Sequence, residues 1–192
     1  LFESLKTSES PSLEDLVHFS LNTGCRKGEA LGLSWSDVDF ESNEITFRSV
    51  KRETSCKGAK IVNGEVKLLL DTQVIEEGLK NGNKAKVLNM EGLGPVRNIL
   101  LKRKLASTST LVFPEDPRRS WENLVKRIGL EDFHFHDLRH STASYLAMNG
   151  ASLAEIAEIL GHKTLQMVKR YAHLSESHTR KVVEKMNKQI FS

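Results

Sequence analysis

The sequence is short of the residues that mark several large protein classes. Its 192 positions include two cysteines, Cys25 and Cys56. Neither has a closely spaced partner that completes a metal pattern, and two thiols do not make a disulfide framework, so a reduced chain is the simpler reading. No apolar run approaches the roughly 20 residues that cross a bilayer. The polar stretch Leu1 to Pro11 lacks the apolar centre of a secretory signal, and no initiator Met precedes it, which leads us to expect a fragment of a longer protein. Internal repeats and low-complexity tracts are absent. So is a strong excess of one charge: 28 Lys and Arg face 25 Asp and Glu, a balance of +3 that permits nucleic-acid binding without requiring it.

What is present fits one soluble globular domain with a real core, at 39% hydrophobic and 28% charged residues. The charge is uneven. Residues 118–192 carry 12 Lys and Arg against 8 Asp and Glu, a modest basic bias available to phosphates. The apolar pattern is mostly helical. Ser10-Pro11-Ser12 opens a helix through Leu13, Leu16, Val17 and Leu21 that stops at Gly24, and a short helix follows over Lys27 to Leu33. Alternation in Val38 to Phe40 and Glu44 to Arg48 predicts a hairpin, with Val66 to Leu70 as a third strand and Lys51 to Gly64 as a long tip or mobile loop. Further helices are expected over Thr72–Leu79, Leu93–Leu105, Ser120–Ile128, His136–Met148, Leu153–Leu160, Leu165–Tyr171 and Glu176–Ile190. The predicted architecture is mainly α with one small antiparallel β-sheet.

Three segments concentrate chemistry. The first is Thr23-Gly24-Cys25-Arg26-Lys27-Gly28-Glu29-Ala30-Leu31. The second is His136-Asp137-Leu138-Arg139-His140, where i,i+3 spacing puts His136 and Arg139 on one helix face. The third is Leu160-Gly161-His162-Lys163, with Tyr171 nine residues past His162. Metal-free cleavage of a phosphodiester needs a nucleophile, fixed cations on the non-bridging oxygens and an acid for the leaving oxygen. Arginine suits the second task because its planar fork donates two parallel hydrogen bonds and keeps its charge. Alone, Arg26 reads as a surface arginine, His136 as a helix cap, His162 as a helix end and Tyr171 as a packing residue. Four motifs in this order change that balance.

The order Arg, His-x-x-Arg, Leu-Gly-His, Tyr resembles the tyrosine site-specific recombinases, the phage-integrase family, from about Ser12 to Tyr171. That resemblance implies a catalytic domain over residues 1–192, without the family's N-terminal core DNA-binding domain. Arg26 and Arg139 would clamp the scissile phosphate, His136 would assist proton transfer or bind the same phosphate, and His162 would donate to a non-bridging oxygen. Tyr171 would attack, forming a 3′-phosphotyrosyl link and freeing a 5′-hydroxyl, with the arginine pair favouring its phenolate. Glu29 would orient Arg26. The family's general-acid lysine would be Lys51, at the end of the second strand, with Lys57 and Lys60 as alternatives. The phosphotyrosine ester conserves the broken bond, so the resemblance implies neither metal nor other cofactor. His136 and His140 have the i,i+4 spacing of some zinc ligands, but no third ligand accompanies them. His134, His140, His173 and His178 are read as structural or solvent-facing.

The same resemblance implies double-stranded DNA as partner and no membrane. It also implies a homotetramer on two duplexes, accessory DNA-bending proteins, and a cytoplasmic, nucleoid-associated place in a bacterium, phage or mobile element. Val182, Val183, Met186 and Ile190 make an apolar stripe on a tail helix, residues 176–192, that would either pack on its own domain or pass to a neighbouring protomer. Three other readings compete: a catalytically silent recombinase-like protein, a helix-turn-helix DNA-binding module over Ala154 to Tyr171, and a type IB topoisomerase-like enzyme.

Overall fold

A short turn, α1 (Phe2–Leu5), precedes the helix on which the rest is assembled, α2 (Pro11–Thr23). Pro11 is tolerated there because the first helical turn has no use for its missing N–H. Gly24 ends the helix at φ +60°, in the left-handed region, and its N–H returns to the Ser20 carbonyl. The computed structural model describes every residue except 9, 49, 63, 64, 77–85 and 192; for 50–62, 65–76, 11, 176, 177, 179 and 181 it describes the backbone alone.

Two faces of α2 are buried in different clusters. Leu16 and Phe19 pack with Leu33, Ile45, Phe47, Leu100 and Phe113. Leu13 and Val17 pack with Trp121, Leu124, Val125 and Leu138. Helix α3 (Lys27–Gly32) follows, then a three-stranded antiparallel sheet of order β1 (Val38–Asp39), β2 (Glu44–Phe47), β5 (Lys86–Asn89). Ile45 and Phe47 face the core while Glu44 faces out, as period-two alternation requires. Strands β3 (Val50–Val62) and β4 (Glu65–Glu76) form a separate two-stranded ribbon between β2 and β5 in sequence, with an irregularity between Cys56 and Gly58.

That ribbon corrects three expectations. Residues 51–62 are paired strand rather than a tip or loop, and Val66 to Leu70 belongs to β4, not to the three-stranded sheet. Residues 72–76, expected to be helical, are also in β4; positions 63, 64 and 77–79 lie outside the described residues. A short apolar run fits a helix or a strand equally well, and the available partner decides. The sheet's third strand is instead the four-residue β5.

The second half is helical: α4 (Gly94–Ala106), α5 (Arg118–Arg127), α6 (Asp137–Met148) and α7 (Leu153–Leu160). Ser152 caps α7 by accepting from the Glu155 N–H at 3.2 Å, while the Glu155 carboxylate accepts from the Ser152 N–H at 2.7 Å. Where one helix was expected over Leu165–Tyr171, the chain makes two 3-10 segments, Leu165–Met167 and Lys169–Ser175. Ala143, Ala147, Ile156, Leu160 and Val168 form a third cluster that includes Tyr171. Helix α8 (Glu176–Phe191) ends the chain, with Val182, Val183, Met186 and Ile190 exposed along it. Among the described residues, no helix is long and apolar enough to cross a membrane.

The α2–α6–α7 junction is closely packed at Gly24, where an added Cβ would overlap Leu160 Cδ2. Gly24→Ala should therefore cost about 2–4 kcal/mol, from left-handed strain and overpacking together. Gly28, in α3 with no atom within 4 Å of a built Cβ, should accept alanine with a gain of up to about 1 kcal/mol. Urea unfolding of both variants checks the contrast, which vanishes if the two midpoints move together.

Candidate active site

The site is built around the C-terminal end of α2. The last carbonyls of a helix have no partners within it and carry the negative pole of its dipole. Here they receive cations. The Thr23 carbonyl accepts from Lys86 Nζ at 3.1 Å, and the Gly24 carbonyl accepts from Arg139 Nη1 at 2.6 Å. Arg139 Nη2 donates at 2.6 Å to the carbonyl of Leu160, the last residue of α7. Arg139 thus bridges two helix ends from a position on α6, with 3% of its surface exposed. Burial is the main influence on its guanidinium, with Arg26 second, and together they bring its pKa down to about 10. It remains charged at neutral pH. Three residues along α6, Thr142 Oγ1 donates to the Leu21 carbonyl at 2.8 Å and adds a second tie to α2.

Arg26 lies at the N-terminus of α3. The Glu29 carboxylate accepts from the Arg26 backbone N–H at 2.8 Å and from its Nη1 at 2.6 Å. One side chain therefore caps the helix and holds the guanidinium, the contact that the family resemblance implies for Glu29. Arg26 itself is exposed.

Lys86 enters as the first residue of β5, opposite Phe47 at the end of β2, with its ammonium 5.1 Å from the Phe47 ring centre. Burial, the largest influence, lowers its pKa to about 8; Arg139 and Arg26 push the same way, while Cys25 and Glu29 oppose.

His162 follows Gly161, which ends α7 at φ +66°. The His162 N–H reaches back to the Ala157 carbonyl at 2.7 Å, so the turn holds the imidazole against the site. Burial and then Arg139, Arg26, His140 and Lys86 lower its pKa to about 4. It is a neutral imidazole at pH 7, and its Nδ1 is buried without a hydrogen-bond partner.

Tyr171 is 6% exposed in the third cluster. Its hydroxyl lies 2.5 Å from His140 Nδ1. The expectation that the arginines would favour its phenolate is outweighed: burial raises the phenol above its ordinary value, against the pull of Arg170 and Arg139. His136 is exposed, one helical turn before His140, with the two rings edge to face at 5.0 Å. Burial first, and then His140, Arg139 and Arg26, hold His136 below the usual imidazole value.

The fold thus gathers Arg26, His136, Arg139, His162 and Tyr171 into one electrostatically connected group. The side chains of Lys51, Lys57 and Lys60 lie outside the described residues; their backbone is in β3. Two residues were missed. His140, read as structural or solvent-facing, meets the Tyr171 hydroxyl, and the same i,i+4 spacing from His136 that was weighed for zinc was the signal for it. Lys86 was hidden because a four-residue strand carries little periodicity. The gathered groups include three cations, Arg26, Lys86 and Arg139, and one carboxylate, Glu29. Such a site is short of negative charge and is suited to a phosphate.

The phage integrase family profile matches residues 1–178. The integrase of Salmonella phage P22 is 27% identical over 169 residues, 86% of this chain and 40% of that protein. The tyrosine recombinase XerC of Thermodesulfovibrio yellowstonii is 30% identical, across 95% of this chain and 60% of that one. The catalytic domain of bacteriophage HP1 integrase superposes with a TM-score of 0.65 at 25% identity, covering 100% of this chain and 92% of that domain. The chain spans about half the length of the curated relatives it matches.

The two arginines should separate by stability. Arg139→Ala leaves two carbonyls and a packed space without a partner and should cost about 3–5 kcal/mol. Arg26→Ala removes an exposed pair and should cost about 1 kcal/mol or less. Similar urea midpoints for the two variants would show that the Arg139 bridge is not structural.

Proposed function

The chain belongs to the phage integrase family, and from that premise we propose that it is the catalytic domain of a site-specific recombinase that cleaves and rejoins double-stranded DNA through Tyr171. The observation that carries this reading is the convergence of Arg26, Lys86 and His162 on Arg139, which also acts on the Tyr171 phenol. Tyr171 Oη attacks phosphorus and the 5′-oxygen leaves, giving a 3′-phosphotyrosyl ester of similar energy to the bond broken. A 5′-hydroxyl from a partner strand reverses the step, so neither a metal nor a nucleotide is needed.

Arg26 and Arg139 bind the non-bridging oxygens, with Glu29 aiming Arg26. His162, neutral, donates one N–H to the phosphate, and exposed His136 meets the same group. For the leaving oxygen we favour Lys86 over Lys51, Lys57 and Lys60 as proton donor. A lysine with a pKa near 8 is closer to neutrality than an ordinary one and transfers its proton more readily. It is charged below that value and loses the proton above it, so cleavage should fall as pH rises through about 8.

We further propose that an N-terminal DNA-binding domain accompanies this one in the working protein. Recombination would then proceed in a homotetramer on two duplexes, at the nucleoid and with accessory DNA-bending proteins. Residues 176–192 would dock on a neighbouring protomer through the exposed Val182, Val183, Met186 and Ile190. Deletion after Ser175 should reduce synapsis more than DNA binding; an unchanged recombination rate would remove the tail from the assembly.

The chemistry is tested by incubating the polypeptide with host genomic DNA, denaturing, digesting with nuclease and seeking nucleotide on Tyr171 by mass spectrometry. The adduct should vanish in Tyr171→Phe, and the attached DNA gives the target sequence. Lys86→Met should lose at least about a hundredfold in adduct formation. A 5′-bridging sulfur, which leaves without a proton, should restore it. If Lys51→Met alone behaves this way, the donor is Lys51. Supercoil relaxation without recombinant product would favour a topoisomerase-like enzyme. DNA binding with no adduct, even on nicked duplexes, would favour a silent binding protein.

A further inference from the structure

The phenol of Tyr171 has to lose a proton to become a nucleophile, and burial makes that harder. The charged groups that act on it are Arg170 and Arg139, and Arg26, Lys86, His162 and His136 belong to the wider group around Arg139. Arginine and charged lysine have no lone pair to offer. They stabilise a phenolate but cannot take its proton. The carboxylate of Glu29 is engaged by Arg26 on α3. His136 is edge-on to His140 rather than paired with the tyrosine. What meets the hydroxyl is His140 Nδ1, at 2.5 Å, with the two rings tilted by 42° and their centres 6.3 Å apart. The contact is therefore made through the ring edge and not by stacking. His140 sits on α6 directly after Arg139, whose guanidinium is fixed by the carbonyls of Gly24 and Leu160, so the helix turn that holds the phosphate clamp also sets the imidazole.

We propose that His140 is a catalytic residue of this site: its Nδ1 accepts the Tyr171 proton as the phenol oxygen bonds to phosphorus. The inference rests on the strand-cleavage reading above. The bond from Tyr171 Oη to phosphorus forms and the bond from phosphorus to the 5′-oxygen breaks. The phenol proton goes to His140, and the leaving 5′-oxygen takes a proton from the lysine donor. In rejoining, the attacking 5′-hydroxyl gives its proton back to the lysine and His140 returns one to the departing phenol, so no proton is consumed over the cycle. The role requires His140 to rest as the tautomer with Nε2 protonated and Nδ1 free. A packing role would need no particular tautomer.

Two measurements test it. In the chain without DNA, the histidine side-chain nitrogen NMR spectrum at pH 7.5 should show His140 protonated at Nε2, with an Nδ1 resonance that shifts in Tyr171→Phe; an Nδ1–H tautomer overturns the proposal without any variant of His140. On nicked duplexes bearing the sequence recovered from the Tyr171 adduct, His140→Ala and His140→Gln should slow single-turnover adduct formation by about a hundredfold or more while DNA affinity holds. The defect should persist with a 5′-bridging sulfur, unlike that of Lys86→Met, because it lies at the attacking oxygen. Unchanged or faster cleavage in the His140 variants, or rescue by sulfur, overturns the inference while leaving the recombinase reading intact. Absence of any adduct in the unsubstituted protein would remove both.

Discussion

A single buried guanidinium, that of Arg139, joins the ends of two helices and thereby determines where everything else in the site can stand. Its two donors meet the carbonyls of Gly24 and Leu160, each at the C-terminal end of a helix where a carbonyl has no internal partner. The arrangement satisfies the helix ends with a cation and compensates the cation with two helix dipoles. It also explains why Gly24 has no side chain: α2 and α7 approach so closely there that a Cβ would overlap Leu160. Gly161 and His162 follow from the same junction, since the turn that ends α7 begins one residue past the carbonyl that Arg139 holds.

This junction gathers three cations, Arg139, Arg26 and Lys86, against the single carboxylate of Glu29. Burial first, and then neighbouring guanidinium groups, lower the proton affinity of Lys86 and of Arg139. A bound phosphate would reverse that penalty, and because the cations are already fixed, little reorganisation would accompany its arrival. His162 is driven neutral by the same field, which leaves it a donor of one N–H rather than a fourth charge. The division of labour is consistent with position. Arg139 is buried and holds two helix ends, whereas Arg26 is exposed and held by one carboxylate.

Tyr171 is placed differently. Tyr171 belongs to the third hydrophobic cluster as much as to the site, and the burial that fixes its ring also raises its phenol. Packing positions the oxygen but opposes its ionisation, so a proton acceptor at the ring edge becomes the natural complement to the arginines. His140 stands at that edge because it follows Arg139 on the same helix.

Much of the site was legible in the sequence because its members sit in short segments whose local geometry is predictable. Helix spacing linked His136 with Arg139, the Arg26–Glu29 pair lies within one turn, and Leu160-Gly161-His162 reads as a helix end. The mainly helical fold with a small antiparallel sheet followed from apolar periodicity. The ribbon of β3 and β4 did not, because short apolar runs take the form their partners impose. Nor could periodicity find Lys86, whose strand is four residues long and is defined by pairing with β2. The Arg139 carbonyl contacts, the raised phenol of Tyr171 and its bond to His140 all depend on segments that are distant along the chain. Sequence by itself determined which reactive groups the protein carries and on which elements. Only the tertiary structure decided which of them touch, because burial and hydrogen-bond partners belong to the packed chain.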